Sequence, residues 1–130
     1  MLIYYKGSIY GINKLRKYLK WSKKIIHKCN HKKYKITAVI VINGKPISYG
    51  WNNIDKTHPA MGLRRKHAEI TAINRCKYKI KLNKAILIIY GEDKFGNTIT
   101  SKPCKYCQKF IKKFNLKKIV YSTPNGYQEL

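Results

Sequence analysis

His67, Glu69, Cys104 and Cys107 are the side chains in this sequence best suited to carry a reaction, and their spacing narrows which one. They fall in two fragments, His67-Ala68-Glu69 and, about one helix and one strand later, Pro103-Cys104-Lys105-Tyr106-Cys107. One imidazole and two thiolates fill three positions of a tetrahedral zinc ion and leave the fourth open, the arrangement of catalytic rather than structural sites. A water in that position has its pKa lowered from 15.7 to about 7, so hydroxide forms near neutral pH. Glu69, two residues beyond the histidine on the same helix, is expected to turn away from the metal and shuttle that water's proton as a general acid–base. Pro103 suits the first position of a helix. That would place Cys104 and Cys107 in and just after its first turn, where unpaired N–H groups and the macrodipole favour thiolate over thiol.

Two plainer chemistries compete. A structural zinc knuckle needs a fourth protein ligand, and Cys29, His31, His58 and Cys76 stand at no recognisable knuckle spacing from the other three. A purely redox-active Cys-x-x-Cys leaves His67 and Glu69 without a part to play. Two fragments in the right order are also far rarer by chance than a lone Cys-x-x-Cys.

In this order, H-x-E and P-C-x-x-C form the signature of zinc nucleobase deaminases. The chain resembles the cytidine and deoxycytidylate deaminase superfamily over roughly residues 8 to 123. The resemblance implies a zinc-dependent hydrolase in which His67, Cys104 and Cys107 hold Zn2+ and Glu69 passes a proton to the ring nitrogen and then to the departing amine. It implies a three-layer α-β-α sandwich with both metal fragments at helix starts against one face of a mixed sheet. Gly50-Trp51-Asn52 looks like the superfamily's G-x-N element, whose asparagine contacts the sugar, so Asn52 becomes a substrate-binding candidate; an asparagine after a strand is equally a turn former. Trp51 reads as core. Arg64 and Arg65, with Lys66 just before the zinc histidine, are candidates to hold flanking phosphates, although a solvated basic loop has the same composition. Lys102 stands before Pro103 where many relatives carry Glu, Ser or Thr, which leaves base discrimination open.

The elements that must position these residues follow from periodicity. From Gly11 to Cys29, Ile12, Leu15, Leu19, Ser22, Ile26 and Cys29 recur at steps of three and four, opposite Lys14, Lys17, Lys20, Lys24 and Lys28, which predicts an amphipathic helix with a lysine face. Ile36 to Ile42, the turn at Asn43-Gly44 and Pro46 to Trp51 predict a β-hairpin. Residues 53 to 65 read as a loop containing Thr57-His58-Pro59. A second helix is expected from about Lys66 to Cys76, a buried strand at Ala85 to Tyr90, a third helix from Pro103 to Phe114 with Phe110, Ile111 and Phe114 inward, and a last strand at Lys118 to Tyr121. Between them, Glu92 to Lys102 is expected to wall the pocket, with Phe95 anchoring it to the core or stacking on a base. The sheet thus counts about four strands in one domain, residues 1–130, and the superfamily's C-terminal helix and strand are missing or replaced by a partner.

The net charge of +24 comes from 29 Lys and Arg against five acidic residues, one of them Glu69. AT-rich coding favours lysine but would favour glutamate equally, so the shortage of acids argues for a polyanionic partner. The first expectation is therefore a cytosine-type (C to U) deaminase acting on single-stranded DNA, RNA or tRNA. The alternative is a free-nucleotide deaminase of the cytidine or deoxycytidylate type. A third reading, a basic nucleic-acid-binding or packaging protein without turnover, has no use for an intact Glu69. With no apolar run near the roughly 18 residues of a membrane span and no signal-peptide pattern, a cytoplasmic protein without a membrane partner is expected, and a homo-oligomer is compatible with the pattern. Of the four cysteines two are assigned to zinc, which leaves Cys29 and Cys76 as reduced or buried thiols.

Overall fold

The computed structural model describes the backbone of residues 4–6, 12–30, 33–55 and 64–130, and the side chains of 16–30, 33–53 and 67–130. The strands are β1 (Tyr4–Lys6), β2 (Tyr34–Ile42), β3 (Lys45–Trp51), β4 (Asn53–Asp55), β5 (Arg64–Lys66), β6 (Ile86–Asp93), β7 (Thr98–Ile99), β8 (Lys118–Thr123) and β9 (Gly126–Glu129). The helices are α1 (Ile12–Ile25), α2 (Ala68–Arg75) and α3 (Lys105–Lys112), with 3-10 turns at Ile26–Lys28 and Lys79–Lys84.

The β2–β3 hairpin forms where expected because Asn43 and Gly44 both take positive φ, 52° and 76°, the pair a tight antiparallel connection requires. Side chains along β2 then alternate between two cores. Ala38, Ile40 and Ile42 meet Leu87 and Ile89 of β6 and the inner faces of α2 (Ala68, Ala72, Ile73) and α3 (Cys107, Ile111). Val39 and Val41 meet Ile88, Val120 of β8, Tyr127 of β9 and Tyr18 of α1. Helices therefore cover both faces of a mixed sheet, in which β6 pairs antiparallel with β2 and parallel with β8.

That sheet is larger than the four strands expected, running β1-β9-β8-β6-β2-β3 with β7 added beside β6. The edge expected to be missing is occupied by the chain itself. β9 folds back antiparallel on β8, and β1 pairs parallel with β9, so two short segments fill the position in place of a further helix and strand. Residues 53–55 and 64–66 are not loop but the paired arms β4 and β5.

On α1 the inward face is Tyr18, Ser22, Ile25 and Cys29, while Leu19 and Ile26 are only half-buried. Ser22 and Cys29 lie inward as expected, whereas Tyr18 and Ile25 take the places expected of Leu19 and Ile26; the buried Ser22 hydroxyl donates to Tyr18 O at 2.9 Å and so is left without an unpaired donor. The large Tyr18 ring then fills the space over β2. Lys17, Lys20, Lys24 and Lys28 are exposed as expected. Trp51 is half-buried at the sheet edge rather than core, with Lys28 Nζ 4.7 Å and Arg75 Cζ 4.8 Å from its ring centre.

One glycine decides how closely α2 lies on the sheet. A Cβ built at Gly50 would stand 2.5 Å from Ala72 N and nearer still to Ala68 O, so the helix backbone rests directly on β3. Gly50 thereby sets the depth of the residues at the start of α2.

Candidate active site

Both metal-type fragments sit at helix starts, each shifted from its expected position. His67 is the cap residue before α2, in extended conformation (φ −87°, ψ 134°), and its carbonyl accepts from Thr71 N and Oγ1 at 3.1 and 3.0 Å. Because His67 lies outside the helix, it and Glu69 are not separated by the wide rotation that two helical residues would impose. Both line the same cleft of about 370 Å³, so Glu69 is not turned away from the donors as expected. Its carboxyl meets the Cys107 side chain.

Helix α3 likewise starts later than Pro103. Cys104 is its cap, with its sulfur accepting from Cys107 N at 3.5 Å, and buried Pro103 precedes it with its carbonyl taken by Gln108 Nε2 at 2.8 Å. A capping sulfur satisfies an orphan N–H of the first turn, which is why the helix begins after the cysteine rather than at the proline.

The ligand atoms of His67, Cys104 and Cys107 lie within 4.8 Å of one another, and Cys104 Sγ is 3.9 Å from His67 Nδ1. Ligands at the usual zinc distances of about 2.1 Å for nitrogen and 2.3 Å for sulfur stand roughly 3.6 Å apart across a tetrahedral angle, so the donor set fits one zinc ion with little movement. No other His/Cys/Asp/Glu cluster of this kind occurs among the described residues. Cys29 and Cys76 are buried free thiols away from it, and His31 and His58 lie outside the described residues.

Burial raises the pKa of the Glu69 carboxyl; a backbone hydrogen bond, His67 and the Cys107 contact oppose the shift in part. Burial first, and Glu69 second, push the Cys107 thiol well above its usual range. Desolvation opposes the preference for thiolate that the start of α3 gives Cys107, and a bound cation would favour the thiolate.

The wall of the cleft is fixed by two serines. Ser101 Oγ is 2.8 Å from Ser122 Oγ, donates to Ile89 O at 3.0 Å and accepts from Ser122 N at 2.9 Å. Ser122 Oγ accepts from Gly91 N at 3.0 Å and donates to Ile99 O at 2.8 Å. Both serines are buried, so the network ties the segment between β7 and Cys104 onto β6 and β8. A larger cavity of about 680 Å³, beside Val41 and Ile86 at the other end of β2 and β6, has no metal-type donor in its lining.

The profile of the family described as "Cytidine and deoxycytidylate deaminase zinc-binding region" matches residues 12–123. The chain belongs to this family. It is thus a member of a family of zinc-dependent hydrolytic deaminases, and its cofactor is zinc. The fold is similar to that of the dCMP deaminase of cyanophage S-TIM5, with TM-score 0.61, 21% identity, and 88% of this chain and 86% of that one covered. It is also similar to a cytidine deaminase from Burkholderia pseudomallei, with TM-score 0.61, 17% identity and coverages of 93% and 92%. A cytidine deaminase from Mycobacterium leprae aligns with TM-score 0.52, 19% identity and coverages of 85% and 87%. Among curated proteins none matches by sequence.

The remaining site candidates separate. Asn52 lies on the cleft wall, but its side-chain amide is already engaged: Oδ1 accepts from Ile36 N at 2.8 Å and Nδ2 donates to Tyr34 O at 3.0 Å. It ties the end of β3 to the start of β2. Replacing Asn52 by Ala leaves the Ile36 amide unpaired and should lower stability by about 1–3 kcal/mol in urea denaturation. An unchanged midpoint with a raised KM would instead assign Asn52 to the substrate.

Arg64 and Arg65 lie on β5, opposite Asp55 and Ile54 of β4; their side chains, like residues 57–59 with His58, lie outside the described residues. Lys102 is exposed on the cleft. Only the end of the Glu92–Lys102 segment lines it, because Asp93 to Gly96 forms the turn between β6 and β7, and Phe95 there is 76% exposed, anchoring nothing. The serine pair was not foreseen, since two serines 21 residues apart carry no local signal. Among the described residues no helix is long and apolar enough to cross a membrane.

Proposed function

We propose that residues 1–130 act as one domain that hydrolytically deaminates the cytosine base of a free nucleoside or nucleotide, releasing ammonia and leaving uracil. The observation that carries this reading is that His67, Cys104 and buried Glu69 line one cleft of about 370 Å³, with the buried Cys107 sulfur within 4.8 Å of the other two ligand atoms. His67, Cys104 and Cys107 are the zinc ligands in this reading, and bound zinc supplies the Lewis acidity that makes a water nucleophilic near neutral pH. Glu69 would carry one proton of that water to the ring nitrogen, where it stays, and then the second, from the hydroxyl added to the ring, to the amine as it departs. Desolvation suits it to both steps, because a raised carboxyl pKa brings the proton's acceptance and release closer in energy near neutrality.

The free-nucleotide reading takes precedence over a polynucleotide substrate for two reasons. The structurally similar cyanophage protein is a dCMP deaminase, and it has been solved in complex with dCMP and dUMP. The exposed lysines of α1 sit on the layer across the sheet from the cleft, since Tyr18 packs with Val39 and Val41 whereas Ala68 and Cys107 pack with Ala38 and Ile40. A strand following those lysines would not run straight to Glu69.

Ammonia release by the zinc-loaded protein over a panel of nucleosides, nucleoside monophosphates and short single-stranded DNA and RNA tests the proposal. Turnover of cytidine, deoxycytidine or their monophosphates is expected. Turnover confined to oligonucleotides, with rates falling steeply as salt rises, would restore the polymer reading, and no turnover on any member would defeat both.

A further inference from the structure

We propose that Tyr106 is a positioning residue of the zinc site, its ring holding the His67 imidazole in the rotamer that faces the two cysteine sulfurs. This inference rests on the reading of His67 as a zinc ligand and needs no turnover. Tyr106 lies in the first turn of α3, two residues after Cys104 and one before Cys107, and is 67% exposed. A ring so exposed contributes little to the core. Its contact is with the other metal fragment: the ring centres of Tyr106 and His67 are 6.1 Å apart, with the planes tilted by 49°. That separation falls within the roughly 4.5–7 Å over which aromatic pairs attract one another, and a tilted arrangement suits their quadrupoles better than a face-to-face one.

Of the three donors, the histidine has most need of such a contact. Cys107 is buried, and the Cys104 sulfur accepts from Cys107 N at 3.5 Å, so both thiols are fixed by the start of α3. The His67 backbone is held through Thr71, but its side chain is half-buried and turns about two further bonds. A zinc-ligating histidine is ordinarily oriented by a carboxylate, carbonyl or water on its second ring nitrogen. Among the described residues no carboxylate or carbonyl is hydrogen-bonded to the His67 ring, whose Nδ1 stands 3.9 Å from Cys104 Sγ. Rotation about Cα–Cβ into another staggered well would carry the imidazole away from the sulfurs and away from Tyr106 together. The ring pair therefore favours the orientation the metal requires before the metal binds, and a donor ordered in advance loses less freedom on binding. Because Tyr106 stands between the two cysteines in sequence, the same helix turn that supplies both sulfurs also sets the angle of the nitrogen donor.

Zinc affinities of wild type, Tyr106→Phe and Tyr106→Ala, measured by competition with a chromophoric chelator, test the assignment without reference to activity. Tyr106→Ala should bind zinc about two- to tenfold more weakly, the scale of one aromatic pair, whereas Tyr106→Phe keeps the ring and should match wild type. The visible absorption of the cobalt-loaded protein should change in Tyr106→Ala and not in Tyr106→Phe, because the imidazole is no longer held at one angle. In a His67→Ala background Tyr106→Ala should add nothing, since the residue through which it acts is gone. Metal-free wild type and both Tyr106 variants should melt alike, as the ring is exposed. Unchanged affinity in Tyr106→Ala, or an equal loss in Tyr106→Phe, overturns the positioning role. So does a further loss in the His67→Ala background, or a loss matched by lower melting of the metal-free protein. If His67→Ala alone leaves zinc affinity unchanged, the ligand reading itself fails and takes this inference with it.

Discussion

Glu69→Gln is expected to retain zinc and fold while losing deamination by about 10⁴-fold or more, at or above the top of the range for a single general acid–base group. Glutamine preserves the volume and a polar contact to Cys107 but cannot carry a proton between the water and the ring. Equal zinc content in the two proteins with this loss of kcat assigns Glu69 to proton transfer; loss of the metal would make it a ligand. The substitution has a second expected effect, on the metal-free protein. Burial raises the folded pKa of Glu69, so the folded state holds its proton more tightly than the unfolded state does. The contribution of the neutral carboxyl is fully present below the ordinary glutamate range and is lost as pH rises through the raised folded value. Metal-free Glu69→Gln should therefore be more stable than metal-free wild type at pH 7, with the difference vanishing near pH 3. A difference that grows on acidification would reverse the sign.

Gly50→Ala should be more damaging than the same change at Gly44, Gly91 or Gly96. The added Cβ would stand 2.5 Å from Ala72 N, and what it meets is helix backbone rather than the end of a flexible side chain. Helix α2 must move outward, opening the contact with Ala38 and Ile40 and withdrawing His67 and Glu69 from Cys104 and Cys107. Overpacking of this kind costs about 1–3 kcal/mol in ordinary cores, and a backbone clash lies at the upper end or beyond. Urea denaturation should show the loss, and zinc stoichiometry should fall with it. By contrast, a methyl added at Gly44 would meet nothing within 4 Å and would bear only the strain of its positive φ of 76°. If Gly50→Ala melts like wild type and still binds one zinc per chain, the close packing of α2 on β3 is not what positions the site.

The sequence by itself determined which chemistry-bearing residues to look for. His67, Glu69, Cys104 and Cys107 are identifiable because metal chemistry depends on residue type and on short spacing, and both are local. It also determined the β2–β3 hairpin, through the two residues of its turn, and the existence of the three helices, through their periodicity. Tertiary structure decided everything that depends on which partner a group finds. The two metal fragments cap their helices instead of entering them because Cys104 Sγ accepts from Cys107 N and His67 remains extended, and this turns Glu69 toward the donors. Whether Asn52 serves a ligand or the backbone is decided by Ile36 N and Tyr34 O, more than a dozen residues away. Which face of α1 points inward turned on Tyr18, whose ring packs with Val39 and Val41 across the sheet and leaves Leu19 half-buried. The edge beyond β8 was illegible for a similar reason. Segments as short as β1 and β9 carry too little periodicity to announce themselves, and their strand character comes from the ladder they join.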